Sequence, residues 1–141
     1  MQKKIDFHYV INKDNLFQVS YSQIYKFYLK GEKKIYINVK NIIIEQELDK
    51  FLWIYKKKSF LPHGTDKDKF FNQHPILITT QDKLSRNNDK VNIFIDKIIK
   101  ECECENMCII FTKNENINLV KEFYLEVKNN SSYQISYTKY N

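Results

Sequence analysis

Residues 35–55 read IYINVKNIIIEQELDKFLWIY, and this stretch carries the clearest indication of the fold. It begins with Ile35, Ile37 and Val39 alternating with more polar residues, and a period of two predicts a β-strand. Apolar residues then recur at positions 44, 48, 51, 52 and 55, which lie on one face of an α-helix. Acidic residues occupy the early turns of this helix and lysines follow its end, as the helix dipole favours. The stretch therefore predicts a strand followed by a helix.

The residues before this stretch repeat the same order. Residues 5–10 (IDFHYV) alternate in the same way and predict a first strand. A helix with apolar positions 17, 21, 24, 25 and 28 follows, and we expect Asp14 or Asn15 to cap its start and Gly31 to end it. Two rounds of strand and helix predict a three-layer, Rossmann-like α/β fold, with a mostly parallel sheet flanked by helices.

After residue 60 the pattern predicts more strands. Pro62 and Gly64 break the chain and open a polar loop over residues 65–74. Apolar runs predict strands at 76–80, 91–95 and 107–112, although positions 95, 98, 99 and 102 also fit helical spacing. The polar residues 81–90 are expected to be mobile.

The end of the chain predicts one more helix and a short strand. Apolar residues at positions 119, 120, 123, 124 and 127 form the helical stripe, with Asn114 or Asn116 as the cap. Tyr133, Ile135 and Tyr137 then alternate as in a strand.

Composition is typical of one folded domain over residues 1–141. An apolar content of 43% with 15% aromatic residues excludes a disordered chain, and the apolar runs are too short to span a bilayer. Asp6 and His8 interrupt the first apolar segment, so it does not resemble a signal peptide. We expect a soluble cytoplasmic protein with no membrane partner.

The charge is uneven along the chain. Residues 1–60 carry 12 lysines and 6 acidic residues, whereas residues 61–141 carry 11 basic and 11 acidic residues. The absence of alanine and the single arginine among 23 basic residues indicate codon bias, which accounts for part of the net charge of +6. A surface that faces a polyanion is expected in the first half.

Several kinds of chemistry find little support. The sequence has only two glycines, so it contains neither a glycine-rich phosphate-binding loop nor a dinucleotide-binding fingerprint. No cofactor is therefore expected. Cys102, Cys104 and Cys108 lack a fourth ligand at zinc-site spacing, so we expect reduced thiols and no metal. No serine or cysteine lies beside a histidine in a nucleophile motif, and we assign no catalytic residue.

One group of rare residues resembles a known family. Leu48, Asp49, Leu52 and Trp53 are followed by Ser59, Phe60, Pro62 and His63, and then by Pro75, Ile76, Leu77 and Ile78. This spacing is similar to that of the chi subunit of bacterial DNA polymerase III, a clamp-loader accessory protein.

The resemblance implies a non-catalytic function in DNA replication. Chi proteins link the clamp loader, directly or through a small psi subunit, to the acidic C-terminal tail of single-stranded DNA-binding protein. By the resemblance, the tail pocket would comprise Trp53, Phe60, Lys121, Tyr124 and Lys128. Leu125 departs from the family, which commonly has a lysine directly after the last-helix aromatic. A location in the bacterial cytoplasm, at the nucleoid through the replisome, follows from the same resemblance.

Two alternatives remain open at this point. The first is direct DNA binding through the basic first half, notably Lys56, Lys57 and Lys58, which would depend steeply on salt. The second and weaker alternative is a degenerate nucleotidyl or phosphoryl enzyme, which the missing glycine loop opposes.

Overall fold

The computed structural model describes residues 3–55 and 61–141. The strands in this part of the chain are β1 (Lys3–Val10), β2 (Ile35–Val39), β3 (His63–Thr65), β4 (Ile76–Thr79), β5 (Val91–Ile95), β6 (Asn106–Phe111) and β7 (Tyr133–Tyr140). The α-helices are α1 (Leu16–Leu29), α2 (Ile42–Ile54), α3 (Asp82–Arg86) and α4 (Ile117–Val127).

The strands form one sheet in the order β3-β4-β2-β5-β6-β1-β7. Every pairing between them is parallel. The α/β fold and the parallel sheet predicted from the sequence are therefore confirmed. No helix of the described residues is both long enough and apolar enough to cross a bilayer.

Helices cover both faces of the sheet and give three layers. Residues of α1 and α2 pack with Ile37, Ile93 and Ile110 in one core cluster. Residues of α4 pack with Phe7 and Phe94 in a second cluster on the opposite face. The two clusters use alternate residues of the same strands, because successive side chains of a strand point to opposite faces.

The handedness of the crossovers explains this division. Right-handed connections place a helix on one face when the chain moves across the sheet in one direction, and on the other face when it moves back. The connections through α1 and α2 both lead towards the β3 edge. Those through α3 and α4 lead towards the β7 edge, which puts α4 on the face opposite α2.

The polar segments contain more structure than the sequence predicts. The loop expected from residue 65 is preceded by β3, which pairs with β4, and residues 81–90 include α3 with Ser85 and Asn88 buried. Segments this short have no periodicity of their own. Neighbouring strands and buried side-chain hydrogen bonds, such as Asn38 Nδ2 to Ser85 Oγ at 3.0 Å, hold them in place.

Predicted residues occupy both N-cap positions, Asn15 in α1 and Asn116 in α4, but neither makes a capping hydrogen bond with its side chain. Before α1, Asn12 Oδ1 instead accepts from the Asp14 amide at 3.0 Å. Before α4, Asn114 Oδ1 accepts from the Asn116 amide at 2.7 Å. Gly31 ends α1 with a φ of +84°, as expected for a residue in the left-handed conformation.

Candidate protein-binding pocket

An apolar pocket of about 300 Å³ lies between α4 and the sheet, near the β7 edge. Its lining comes from three strands and one helix: Phe7, Tyr9, Phe111, Val120, Lys121, Tyr124, Leu125 and Tyr137. An apolar cavity of about 150 Å³ is enough to bind benzene. The pocket therefore has room for one aromatic side chain.

Aromatic contacts build the walls of the pocket. Tyr124 meets the Phe7 ring edge-on, with ring centroids 5.1 Å apart, and lies 6.1 Å from the Tyr137 ring. Tyr9 stacks on Phe111 at 5.1 Å. Phe7 is fixed in the core, whereas Tyr137 on the edge strand is 50% exposed. One wall of the pocket is therefore rigid and the other lies open to solvent.

The helix side of the pocket carries positive charge. Lys121 lies three and four residues before Tyr124 and Leu125, and the C-cap residue Lys128 lies four and three residues after them, so the four form one stripe on α4. Lys121 lines the pocket, and Leu125 is 60% exposed beside it. The four residues of the stripe include no acidic one, whereas Glu122 and Glu126 lie beside it on the helix and Glu126 pairs with Lys100 at 3.0 Å. The rim therefore suits an anionic ligand that also carries an apolar group.

A second group of contacts surrounds Trp53 on α2. The Trp53 ring lies 5.2 Å from the His63 ring, and His63 Nε2 lies 3.2 Å from Asp49 Oδ1. His63 Nδ1 also lies 2.6 Å from the carbonyl oxygen of Leu61. Burial raises the pKa of the Asp49 carboxyl, and His63 beside it acts in the opposite direction. These contacts hold His63, at the start of β3, against α2 and leave Trp53 54% exposed.

The histidines and cysteines are distributed over separate parts of the structure. His8 is buried beside Tyr140, and His74 lies 3.3 Å from Asp68. Cys108 belongs to the core cluster under α1 and α2, whereas Cys102 and Cys104 belong to the opposite cluster. Within residues 3–55 and 61–141, no three His, Cys, Asp or Glu side chains come together in a way that could hold a metal ion.

Comparison with protein families identifies the chain. The family model described as DNA polymerase III chi subunit, HolC, matches residues 1–130 of 141. The chain belongs to this chi subunit family. It is therefore a member of a family of DNA polymerase III accessory subunits in DNA replication. Comparison with curated proteins found no match.

In this chi-family chain, the structure brings together only some of the predicted site residues. Lys121 and Tyr124 line the pocket, and Lys128 is the C-cap residue of α4, one turn beyond Tyr124. Trp53 lies on α2, which contacts β2, β3 and β4 on the opposite face of the sheet. Phe60 lies outside the described residues.

A single slot formed by Trp53 and Tyr124 does not fit this geometry. Three strands separate β4 from β1, which places the two regions roughly 20 Å apart along the sheet at a strand spacing of about 4.8 Å. The sheet itself also lies between them. The sequence motif around Trp53 and the pocket at α4 are therefore separate surfaces of this chi-family chain.

Several lining residues were missed by the sequence reasoning. Phe7 and Tyr9 share one strand face, and Tyr137 lies in an alternating tail, so the pattern could have placed each on a face. What the pattern lacks is the pairing of β7 with β1, which sets Tyr137 opposite Phe7. Residues 56–58, the most prominent lysines of the DNA-binding alternative, lie outside the described residues.

Proposed function

We propose that this chain is a non-catalytic subunit of the DNA polymerase III holoenzyme that links the clamp loader to single-stranded DNA-binding protein. In this proposal the pocket under α4 receives the acidic C-terminal tail of that protein, which ends in phenylalanine. The clamp loader is reached directly or through a psi subunit. The chain works in the bacterial cytoplasm, at the nucleoid where the replisome operates, and the polymerase activity belongs to the complex.

The observation that carries this proposal is the combination of pocket and charge. The pocket has the size for one aromatic ring, and Lys121 stands at its rim. A terminal phenylalanine offers a ring for the pocket and a carboxylate for the lysine, and the preceding acidic residues can meet Lys128. Charge-assisted contacts of this kind are stronger than neutral hydrogen bonds.

The expected affinity is moderate. One apolar anchor and one or two charge-assisted contacts are offset by the cost of ordering a flexible tail. A dissociation constant in the micromolar range follows, roughly −7 to −8 kcal/mol. Because the lysines are at the surface, binding should weaken as salt rises.

Calorimetric titration with the tail peptide of the source organism's own single-stranded DNA-binding protein tests the proposal. A second peptide without the terminal phenylalanine should bind far more weakly, because it leaves the pocket unfilled. Lys128→Ala should weaken binding of the full peptide by about 1–3 kcal/mol. Lys50→Ala removes an equal charge from exposed α2 surface on the opposite face and is the matched control.

Two outcomes would contradict the proposal. Equal affinity for the two peptides would show that the terminal ring does not enter a pocket. Absence of binding by either peptide at millimolar concentration would remove the tail site altogether.

A further inference from the structure

The outer edge of β7 carries backbone groups that no strand in the described part of the chain satisfies. β7 is the last strand of the sheet and pairs with β1 on one side only. The carbonyls of Ser132, just before β7, and of Tyr140 accept from the Lys3 and Ile11 amides, at 3.3 Å and 2.9 Å. In a parallel pair, alternate residues direct both their amide and their carbonyl groups to the neighbour. The even-numbered residues of β7 therefore bond to β1.

The odd-numbered residues of β7 direct their amides and carbonyls outwards. These residues are Tyr133, Ile135, Tyr137 and Lys139. The Tyr133 amide is used in a turn, since it donates to the Asn130 carbonyl at 3.1 Å. The amides of Ile135, Tyr137 and Lys139, with the carbonyls of Tyr133, Ile135 and Tyr137, remain as a ladder at the sheet edge. Such an edge is a template for an added strand.

The side chains of these odd-numbered residues lie on the face of the sheet that holds the pocket. Tyr133 and Ile135 pack against the core cluster under α4, and Tyr137 is a wall of the pocket itself. A strand added beside β7 would lie about 4.8 Å beyond it, with every second side chain pointing to the α4 face. The side chain beside Tyr137 would then be at the pocket mouth, where Leu125 and Tyr137 are exposed.

Positive charge near this edge favours an acidic segment as the added strand. Lys121 and Lys128 lie on the α4 stripe, and Lys139 lies on β7 two residues beyond Tyr137, with its side chain exposed. The β7 side chains on the α4 face include no acidic residue. A second copy of β7 would bring another lysine to this edge, whereas an acidic tail would bring compensating charge.

We propose that the acidic tail of single-stranded DNA-binding protein binds as an eighth strand along the outer edge of β7, with its terminal aromatic ring in the pocket under α4. This inference rests on the proposed function and adds the mode of binding. Backbone hydrogen bonds hold the tail in register, the pocket recognises its last residue, and the three lysines favour its acidic residues.

Residue-resolved hydrogen exchange of the full chain, with and without saturating tail peptide, tests the strand. The amides of Ile135, Tyr137 and Lys139 should exchange at least about tenfold more slowly in the complex, because they gain partners. The amides of Gln134, Ser136 and Thr138 bond to β1 in both states and are the internal control.

Backbone N-methylation of the peptide gives a second test on unaltered protein. One peptide is methylated at alternate residues and the other at the intervening residues. A strand directs only one of these sets towards β7, so one peptide should lose about tenfold or more in affinity and the other should retain it. A tail held by its ring alone would show no such alternation.

The outcomes separate this inference from the proposed function. Tail binding with unchanged exchange at the three edge amides overturns the added strand and leaves the tail pocket standing. Absence of any tail binding overturns both. Protection of the edge amides without peptide, increasing with protein concentration, would assign the edge to a second copy of this chain and overturn the inference.

Discussion

At Gly64 the backbone passes so close to two side chains that an added Cβ would displace them. A Cβ at this position would collide with the ring of His74 and the carboxylate of Asp68. These two residues close the loop, since Asp68 Oδ2 accepts from the Thr65 amide at 2.9 Å. Glycine therefore leaves room for this Asp68–His74 contact, at the point where β3 joins the sheet.

Gly64→Ala should lower the free energy of unfolding by about 1–3 kcal/mol, as overpacking does. Urea unfolding, monitored by circular dichroism, measures this difference in the free energy of unfolding. Because the clash involves the His74 ring, the double variant with His74→Ala should lose less stability than the two single losses together. A Gly64→Ala protein as stable as the unaltered chain would contradict the packing described here.

Two carboxyl groups, Glu45 and Asp66, are buried together where α2 begins. Their side chains are 1% and 0% exposed, and Lys67 Nζ lies 3.5 Å from Glu45 Oε2 and 2.7 Å from Asp66 Oδ1. Asp66 Oδ2 also accepts from Thr79 Oγ1 at 2.6 Å and from Gln81 Nε2 at 3.0 Å. Burial, with Asp66 nearby, raises the pKa of Glu45 to about 7. Asp66 has the hydrogen bonds and holds the charge, so Glu45 is the partner that retains a proton.

The Glu45 pKa predicts a dependence of stability on pH. The Glu45 carboxyl has its ordinary pKa of 4.5 in the unfolded chain and a pKa of about 7 in the folded one, so the folded state binds more protons between these values. This group's contribution should therefore fall by on the order of 3 kcal/mol as pH rises from about 4.5 to about 7. Glu45→Gln should abolish that fall, since glutamine does not titrate.

The measurement compares the two proteins by urea unfolding at pH 5 and pH 8. The comparison is needed because His8 acts in the opposite direction: burial lowers its pKa, so its contribution to stability is lost as pH falls below about 6.5. His8 is present in both proteins, so its contribution cancels in the difference between their free energies of unfolding. Glu45→Gln should gain stability relative to the unaltered chain at pH 8, and an equal difference at both pH values would refute the assignment.

Among the helices, α2 and α4 present two different surfaces. The α2 surface holds Trp53 against His63, and the α4 surface holds Tyr124 against Phe7 and Tyr137. Each helix is anchored by its own core cluster, on its own face of the sheet. A ligand in the α4 pocket therefore has no contact with Trp53.

Substitution of the two aromatic residues distinguishes these surfaces. Tyr124→Ala should weaken tail binding by about 1–3 kcal/mol, because it removes a wall of the pocket and an interface aromatic. Trp53→Ala should leave the affinity unchanged, since the sheet separates it from the pocket. Calorimetric titration of the two variants and the unaltered chain measures their affinities for the tail peptide, and circular dichroism confirms that each variant is folded. A larger loss from Trp53→Ala than from Tyr124→Ala would move the tail site to α2.

Across the molecule as a whole, the positive charge is partly engaged within the fold. Lys26 lies 3.9 Å from Asp6, Lys40 pairs with Glu115, and Lys34 donates to the backbone carbonyl of His74 at 3.0 Å. All three lysines belong to the basic first half of the chain. The count of 12 lysines in the first half therefore overstates the number of cations open to a polyanion.

Binding to DNA alone should accordingly be weak. Fluorescence anisotropy with a single-stranded oligonucleotide at physiological salt should give a dissociation constant in the non-specific range, about 10⁻⁴ to 10⁻⁶ M. Affinity should rise as salt is lowered, because the contacts are with phosphates. Submicromolar binding at physiological salt would favour the DNA-binding alternative, and a triple Lys56, Lys57 and Lys58 to alanine variant would then show whether those lysines carry it.

Local sequence was sufficient to predict most of the elements and the family. The alternation in β1, β2 and β7 and the helical spacing in α1, α2 and α4 arise from backbone geometry within each segment, so nearby residues suffice to predict them. The rare residues from Leu48 to Ile78 likewise sufficed for the family, which the match over residues 1–130 confirms.

Which residues share a surface depended on the tertiary fold. β3 and α3 form because of the strands beside them, and the local sequence shows no hydrophobic periodicity that would predict them. Trp53 and Tyr124 lie on helices of similar pattern, yet they occupy opposite faces because their connections cross the sheet in opposite directions. Those directions depend on the strand order, which arises from long-range pairing such as that of β7 with β1. The sequence of one segment does not specify which strand it will pair with.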